Sequence, residues 1–343
     1  MKNYYLKNPL KVRTTILFLG LTLAYSCNDD SMDSVAKRTE EKIVVANRNG
    51  KSISFIDVDT NKTTNTLLIP NSEPMYVVYV PKTDKIYVGD RSEKKVHVIN
   101  PENKQVERSI AAGEGIFHMW ADGQGKKLWV VNDIENTISV INLSTNTVSK
   151  TIAIDMKPHD VFVTQDGSKA FVSVLTGNPA SDKVYIYSTD SYLKTGELTV
   201  GKEPHLFHSA SNRLYVPCQS GKVYAFDSQT LNSIFEKNYP GAHGIFHSPN
   251  QNNIFVSNIT GNQLYSINSA TGEEANTPAP VSSTPHNIVV NNDGNKMFVT
   301  NSGVTSTSLS VYHINSSGAI APSASVNVGT NPFGLTYYKR ELN

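Results

Sequence analysis

The feature that most limits what this chain can become is a sevenfold recurrence. "KIVVAN" at Lys42 is followed by "KIYVGD" at Lys85, "KLWVVN" at Lys127, "KAFVSV" at Lys169, "RLYVPC" at Arg213, "NIFVSN" at Asn253 and "KMFVTN" at Lys296. The copies are spaced 40 to 44 residues apart. Each first run leads through a polar turn into an alternating run such as "SISFIDVDT", "KVHVINPEN" or "TISVINLST", then into a third such as "SKTIAIDM". Alternation with period two marks strands. The Asp or Asn followed by Thr or Ser at their ends marks turns closed by side-chain to backbone bonds. No helical periodicity persists after residue 42. A period of this length built from short β-rich runs predicts an all-β, seven-bladed propeller of four-stranded blades.

The two ends of the chain are expected to close the ring. It begins with three outer strands at Lys42, and its final segment, Phe333 to Leu342, is followed by no further copy. That segment should supply the innermost strand to the blade that starts at Lys42, leaving no open edge.

The 343 residues carry 31 basic and 30 acidic side chains, a formal charge of +1, with no long basic block. That is a poor footprint for nucleic acid, which is not expected as a partner. The first residues place Lys2, Lys7, Lys11 and Arg13 before an apolar run from Ile16 to Ala24, the order of an export signal. There are two cysteines, so no disulfide framework is available. Cys218 reads as an inert thiol near a turn.

Histidines recur at one place in successive copies. "KPHDVFV", "EPHLFH", "GAHGIFH" and "TPHNIVV" set His159, His205, His243 and His286 at the head of apolar runs, and the other copies put Met75, Phe117 and Phe333 there. If each segment begins an innermost strand, the four histidines share a rim with apolar residues on the opposite arc. Such a rim suits a small ligand with one coordinating and one apolar side, or a transition metal, since neutral imidazoles suit zinc, copper, nickel or iron. The competing reading is that each histidine only bonds the backbone of the neighbouring blade. His208 would point away from His205 in a regular strand. Turns on the same face supply Arg48, Asp90, Arg91, Asn132, Asp133, Asn258 and Asn301. Arg48 and Arg91 are taken as ligand contacts, and most of the others as solvated turn residues.

The stretch from "KLWVVN" through "KPHDVFVTQDGSK" resembles the YVTN-type repeat of YncE-like and surface-layer propellers, a likeness covering about residues 42 to 342. Ser26-Cys27 after the apolar run resembles a lipobox, and "NDDSMDS" resembles the acidic signal of surface lipoproteins of Bacteroidetes. These likenesses imply a signal peptide over 1–26, a lipidated Cys27 with an acidic tether over 27–41, and a propeller over 42–343. They imply an outer-membrane protein facing the cell exterior and touching the membrane only through its anchor. The nearest functional analogy is with lipoprotein propellers that capture cobalamin, so the partner expected is a small molecule or a surface protein, with a TonB-dependent transporter as recipient. No nucleophile elbow, Walker loop or dinucleotide fingerprint is present, which favours a binding protein over an enzyme. A metal-assisted lyase or lactonase at the same face, or a protein-docking scaffold, are the alternatives. No carboxylate stands at a repeated channel position to serve the enzyme reading.

Overall fold

The computed structural model describes residues 38–342, apart from Leu206 and Ser211. Cys27 and the acidic stretch after it lie outside the described residues. Within them the chain forms twenty-eight strands and no helix, in seven antiparallel sheets of four strands each. This is the seven-bladed propeller expected from the repeat. Six blades take four consecutive strands, beginning with the inner strands β4 (Pro74–Val80), β8 (Ile116–Ala121), β12 (Lys157–Val163), β16 (His208–Ala210), β20 (Ala242–His247) and β24 (Pro285–Val290). The remaining blade is built from both ends of the chain. There β28 (Pro332–Glu341) is innermost, followed by β1 (Thr39–Asn47), β2 (Ser52–Asp57) and β3 (Lys62–Leu68).

Packing explains the repeated motif. Its aromatic residue lies on the second strand of a blade and is fully buried, as at Tyr87, Trp129, Phe171, Tyr215, Phe255 and Phe298. Trp129 sits among Val163, Ala170 and Tyr185 of the next blade. The core is therefore a series of layers between blades, each large side chain stabilising by roughly 1.5–3 kcal/mol. The Asn closing the motif is buried too. Asn47 Nδ2 donates to Ser52 and Ser54 hydroxyls, Asn132 to Thr137 and Ser139, and Asn301 to Ser308 and Ser310. Asn258 donates to the Tyr265 hydroxyl. These asparagines are not solvated turn residues. They lock the hairpin between second and third strands from inside.

The clasp forms as expected, with β28 antiparallel to β1 from Thr39 opposite Glu341 to Val45 opposite Leu335. Thr39, Glu40 and Glu41 belong to it, so the first strand starts three residues ahead of Lys42. Arg340 reaches Asp84 at 2.9 Å and Glu40 at 3.6 Å, while Tyr337 and Tyr338 donate to Glu41 and Glu40. The inner strands all run from one face of the ring, called upper here, to the lower face.

Candidate functional site

The site follows from an irregularity common to most of the inner strands. Near the start of five of them, two residues stand against one of the neighbouring strand, between Pro74 and Val77, Ile116 and Met119, Pro158 and Val161, Ala242 and Ile245, and Pro285 and Ile288. The strand pair β28 and β1 is offset likewise between Pro332 and Leu335. These are β-bulges, which re-aim side chains. Consecutive residues of a regular strand point to opposite faces. At the bulge of β12, His159 and Asp160 both reach the same group of side chains near the axis, with His159 Nδ1 3.3 Å from Asp160 Oδ2.

Hydroxyls on the second strands hold the bulges. Ser257 Oγ accepts from the Gly244 N–H at 2.8 Å and donates to the His286 carbonyl of the next blade at 2.9 Å. Thr300 Oγ1 makes the same link between the Asn287 N–H and the Phe333 carbonyl. Gly244 is required by this approach, because a Cβ there would lie 1.9 Å from the His286 oxygen.

The first bulge positions, with His205 at the corresponding place ahead of β16, form a layer around the axis. Ring centroids are 4.5 Å apart from Phe117 to His159 and from His159 to His205, 4.1 Å from His205 to His243, 4.5 Å from His243 to His286 and 4.2 Å from His286 to Phe333. Phe117 and Phe333 are 6.0 Å apart and pack with buried Met75 and Tyr76. The four histidines predicted to converge do so, in mutual contact, and His205, His243 and His286 are buried. Among the described residues, His205 Nε2, both ring nitrogens of His243 and His286 Nδ1 have no hydrogen-bond partner. Burial holds His205 down to about 3 and His286 to about 4, and pushes His243 well below the usual histidine range. These imidazoles are neutral at ordinary pH.

The second bulge positions supply what sequence reasoning missed. Asp160 is fully buried, and its carboxylate faces His118 Nδ1 at 3.9 Å, His159 Nδ1 at 3.3 Å and His205 Nδ1 at 3.7 Å. Burial works to raise its pKa, but the facing imidazoles of His118 and His159 outweigh that and hold it well below the carboxylate range. His118 Nδ1 accepts the Val161 N–H, and its ring lies 4.4 Å from that of Tyr76. Asp160 follows His159 directly in "KPHDVFV". Only the bulge shows that both residues meet at the axis.

Below these layers lies a cavity of about 440 Å³. Tyr76, His118 and Asn287 line its inner end, and its walls include Tyr79, Trp120, Phe207, Phe246 and Tyr337. Pro81, Gln165, Pro249 and Asn292, all exposed, mark its mouth on the lower face. The four layer histidines do not line it. His208 does, three residues beyond His205, half-buried and 4.8 Å from the Phe246 ring. Burial lowers its pKa to about 3.

On the upper face both candidate arginines are engaged. Arg48 pairs with Glu73 at 2.6 Å and lies 5.6 Å from the Phe333 ring centre, while Arg91 pairs with Asp133 at 2.9 Å and donates to the Gly115 carbonyl. A further acid and histidine group, Asp90, Glu93 and His97, is satisfied internally. Asp90 accepts from the N–H groups of Glu73, Ser92 and Glu93, and His97 contacts Ser109. Cys218 is buried with its pKa pushed up by burial, which fits an inert thiol.

No protein-family model and no curated protein matches the sequence. Among solved structures, the chain is similar to one of Kuenenia stuttgartiensis hydrazine synthase, with a TM-score of 0.66 and 12% identity over 80% of this chain and 97% of that one. It is also similar to the dihydro-heme d1 dehydrogenase NirN in complex with DHE, with a TM-score of 0.63 and 14% identity over 86% of this chain and 74% of that one. At such identities the likeness is one of fold.

Proposed function

We propose that this chain is a YncE-like, lipid-anchored surface propeller that binds a small organic ligand in its axial cavity and serves a TonB-dependent transporter. The cavity carries the binding part of this reading. Its size lies within the usual range for ligand sites, its walls are mostly apolar, and a few polar groups converge at one end, the usual make-up of such a site. The aromatic walls suit a flat or largely apolar body, and Tyr76, His118 and Asn287 can hydrogen-bond its polar end. The sequence reading set the ligand at the histidine layer. The open volume begins one residue further along three of the inner strands, at Tyr76, His118 and Asn287. The anchor and surface location rest on the likeness of the first residues to a lipoprotein signal, and the transporter on analogy with vitamin-capturing propellers.

Trp120 stands on the cavity wall whereas Trp129 is fully buried between blades. Titration with the apolar dye anilinonaphthalene sulfonate should quench Trp120 emission, and co-purifying small molecules identified by mass spectrometry should displace the dye. Thr336 is half-buried on the wall. Thr336→Trp should block the cavity and abolish the dye signal. Dye binding unchanged by that substitution would count against the cavity as the site.

A metal-assisted reading gains one specific observation, the buried carboxylate of Asp160 among histidines, which the sequence had not offered.

A further inference from the structure

The geometry points to a site for one divalent transition-metal ion in the histidine layer between the blades of β12 and β16, held by His159, Asp160 and His205. Each of the three offers a ligand atom, and these atoms lie within 4.8 Å of one another. Ligand atoms around a tetrahedral zinc ion, with bonds of about 2.0–2.1 Å, stand roughly 3.3 Å apart. Small side-chain rotations would therefore bring this set onto an ion. Two imidazoles and one carboxylate form a donor set for iron, cobalt, nickel, copper or zinc, whereas calcium and magnesium prefer oxygen ligands.

Two further observations support an ion over a merely packed layer. The buried Asp160 carboxylate faces the imidazoles of His118, His159 and His205, so a bound cation would add a fixed positive charge beside it. His205 Nε2 and both nitrogens of His243 are buried without partners among the described residues, and the His205 and His243 rings are only 4.1 Å apart. His243 lies outside the converging set, so a fourth position would fall to an exogenous donor. The bulge is held as in the other blades, Asp160 N donating to Ser173 Oγ at 2.8 Å, and His118 accepts the Val161 N–H.

This inference deepens the binding reading, because the ion would sit above the inner end of the cavity, yet it does not require the cavity to be open. The test uses protein purified without an affinity tag, stripped with chelator and titrated with CoCl2, read by visible absorption and native mass spectrometry. One equivalent should bind with the spectrum of a four- or five-coordinate ion, and Zn²⁺ should compete with it. Asp160→Asn and His159→Gln should each weaken binding at least about tenfold, while His97→Gln should not. His159 is the more exposed ligand, its side chain 15% accessible, so its variant remains informative if Asp160→Asn fails to fold. Thr336→Trp should keep the cobalt while losing the dye, which separates the two readings. Folded wild-type protein that takes up no cobalt, or cobalt bound equally by wild type, Asp160→Asn and His159→Gln, would overturn the site.

Discussion

The imidazoles of His205 and His243, from neighbouring blades, lie 4.1 Å apart, and among the described residues three of their four ring nitrogens have no partner. A buried polar atom without a partner is destabilising, by about 1–3 kcal/mol where its partner has been removed. His243→Leu in metal-free protein should therefore keep or raise the melting temperature. His243→Ala should lower it, because it opens a void at a buried position. Equal losses in both variants, measured by calorimetry, would mean that His243 makes bonds on which the fold depends.

Ser257 tests the links between blades. Replacing it with Ala leaves the Gly244 N–H and the His286 carbonyl without their shared hydroxyl. The expected cost is about 1–3 kcal/mol, seen as a lower midpoint in urea with an unchanged slope.

Acid should unfold the propeller early. His205 and His208 are held near 3 and His286 near 4, against an ordinary value of 6.5. As the pH falls below 6.5 the unfolded chain takes up protons that the folded chain refuses, so stability is full above 6.5 and declines toward pH 3. Asp160, held low in the fold, acts in the same direction below its unfolded pKa. Melting temperatures of metal-free protein across this window should fall steeply, and His208→Leu should show a shallower decline. An equal slope in that variant would remove His208 from the account.

Deleting Phe333 to Leu342 should cost far more than an ordinary terminal trim. It removes Leu335 and Tyr338 from the interblade core and exposes the edge of β1. Arg340→Ala is the milder form, with an expected loss of about 1–3 kcal/mol from its partly buried bonds to Asp84. Soluble, fully folded protein from the deletion would refute the clasp as a stabilising element.

Cys27→Ala should abolish incorporation of an alkyne fatty acid. Replacing Asp29, Asp30 and Asp33 together should reduce protease shaving on intact cells while labelling continues. Labelling that ignores Cys27 would remove the anchor from the proposal.

Much of this architecture was legible because the repeat fixes a strand pattern, and seven copies leave few ways to arrange it. The clasp was legible from an orphan segment, and the histidine layer from four residues at one repeat position. Asp160 was hidden for a physical reason. Alternation is the rule for reading strands, and by that rule the neighbour of His159 points away from it. A bulge suspends alternation for two residues, and its signal is a register shift between strands that no single stretch of sequence displays. The asparagines of the motif were misread in the opposite sense. Asn is common in exposed turns, but here Asn47, Asn132 and Asn301 point inward to hydroxyls two strand positions apart, a pairing visible only once the hairpin is folded.

The Leu342 N–H donates to the Arg38 carbonyl at 2.8 Å, beside the Thr39 and Glu341 pair. The described chain thus ends where it begins, and the ring has no intrinsic starting point. A circular permutant that links these ends and opens at the turn around Asp166 would give the clasped blade four covalently consecutive strands. It would move the cut between the first and second strands into the blade of β12, whose bulge carries His159 and Asp160. The place where the described chain is interrupted is thus a property separable from the architecture, and it falls in the blade that gives Phe333, not a histidine, to the layer.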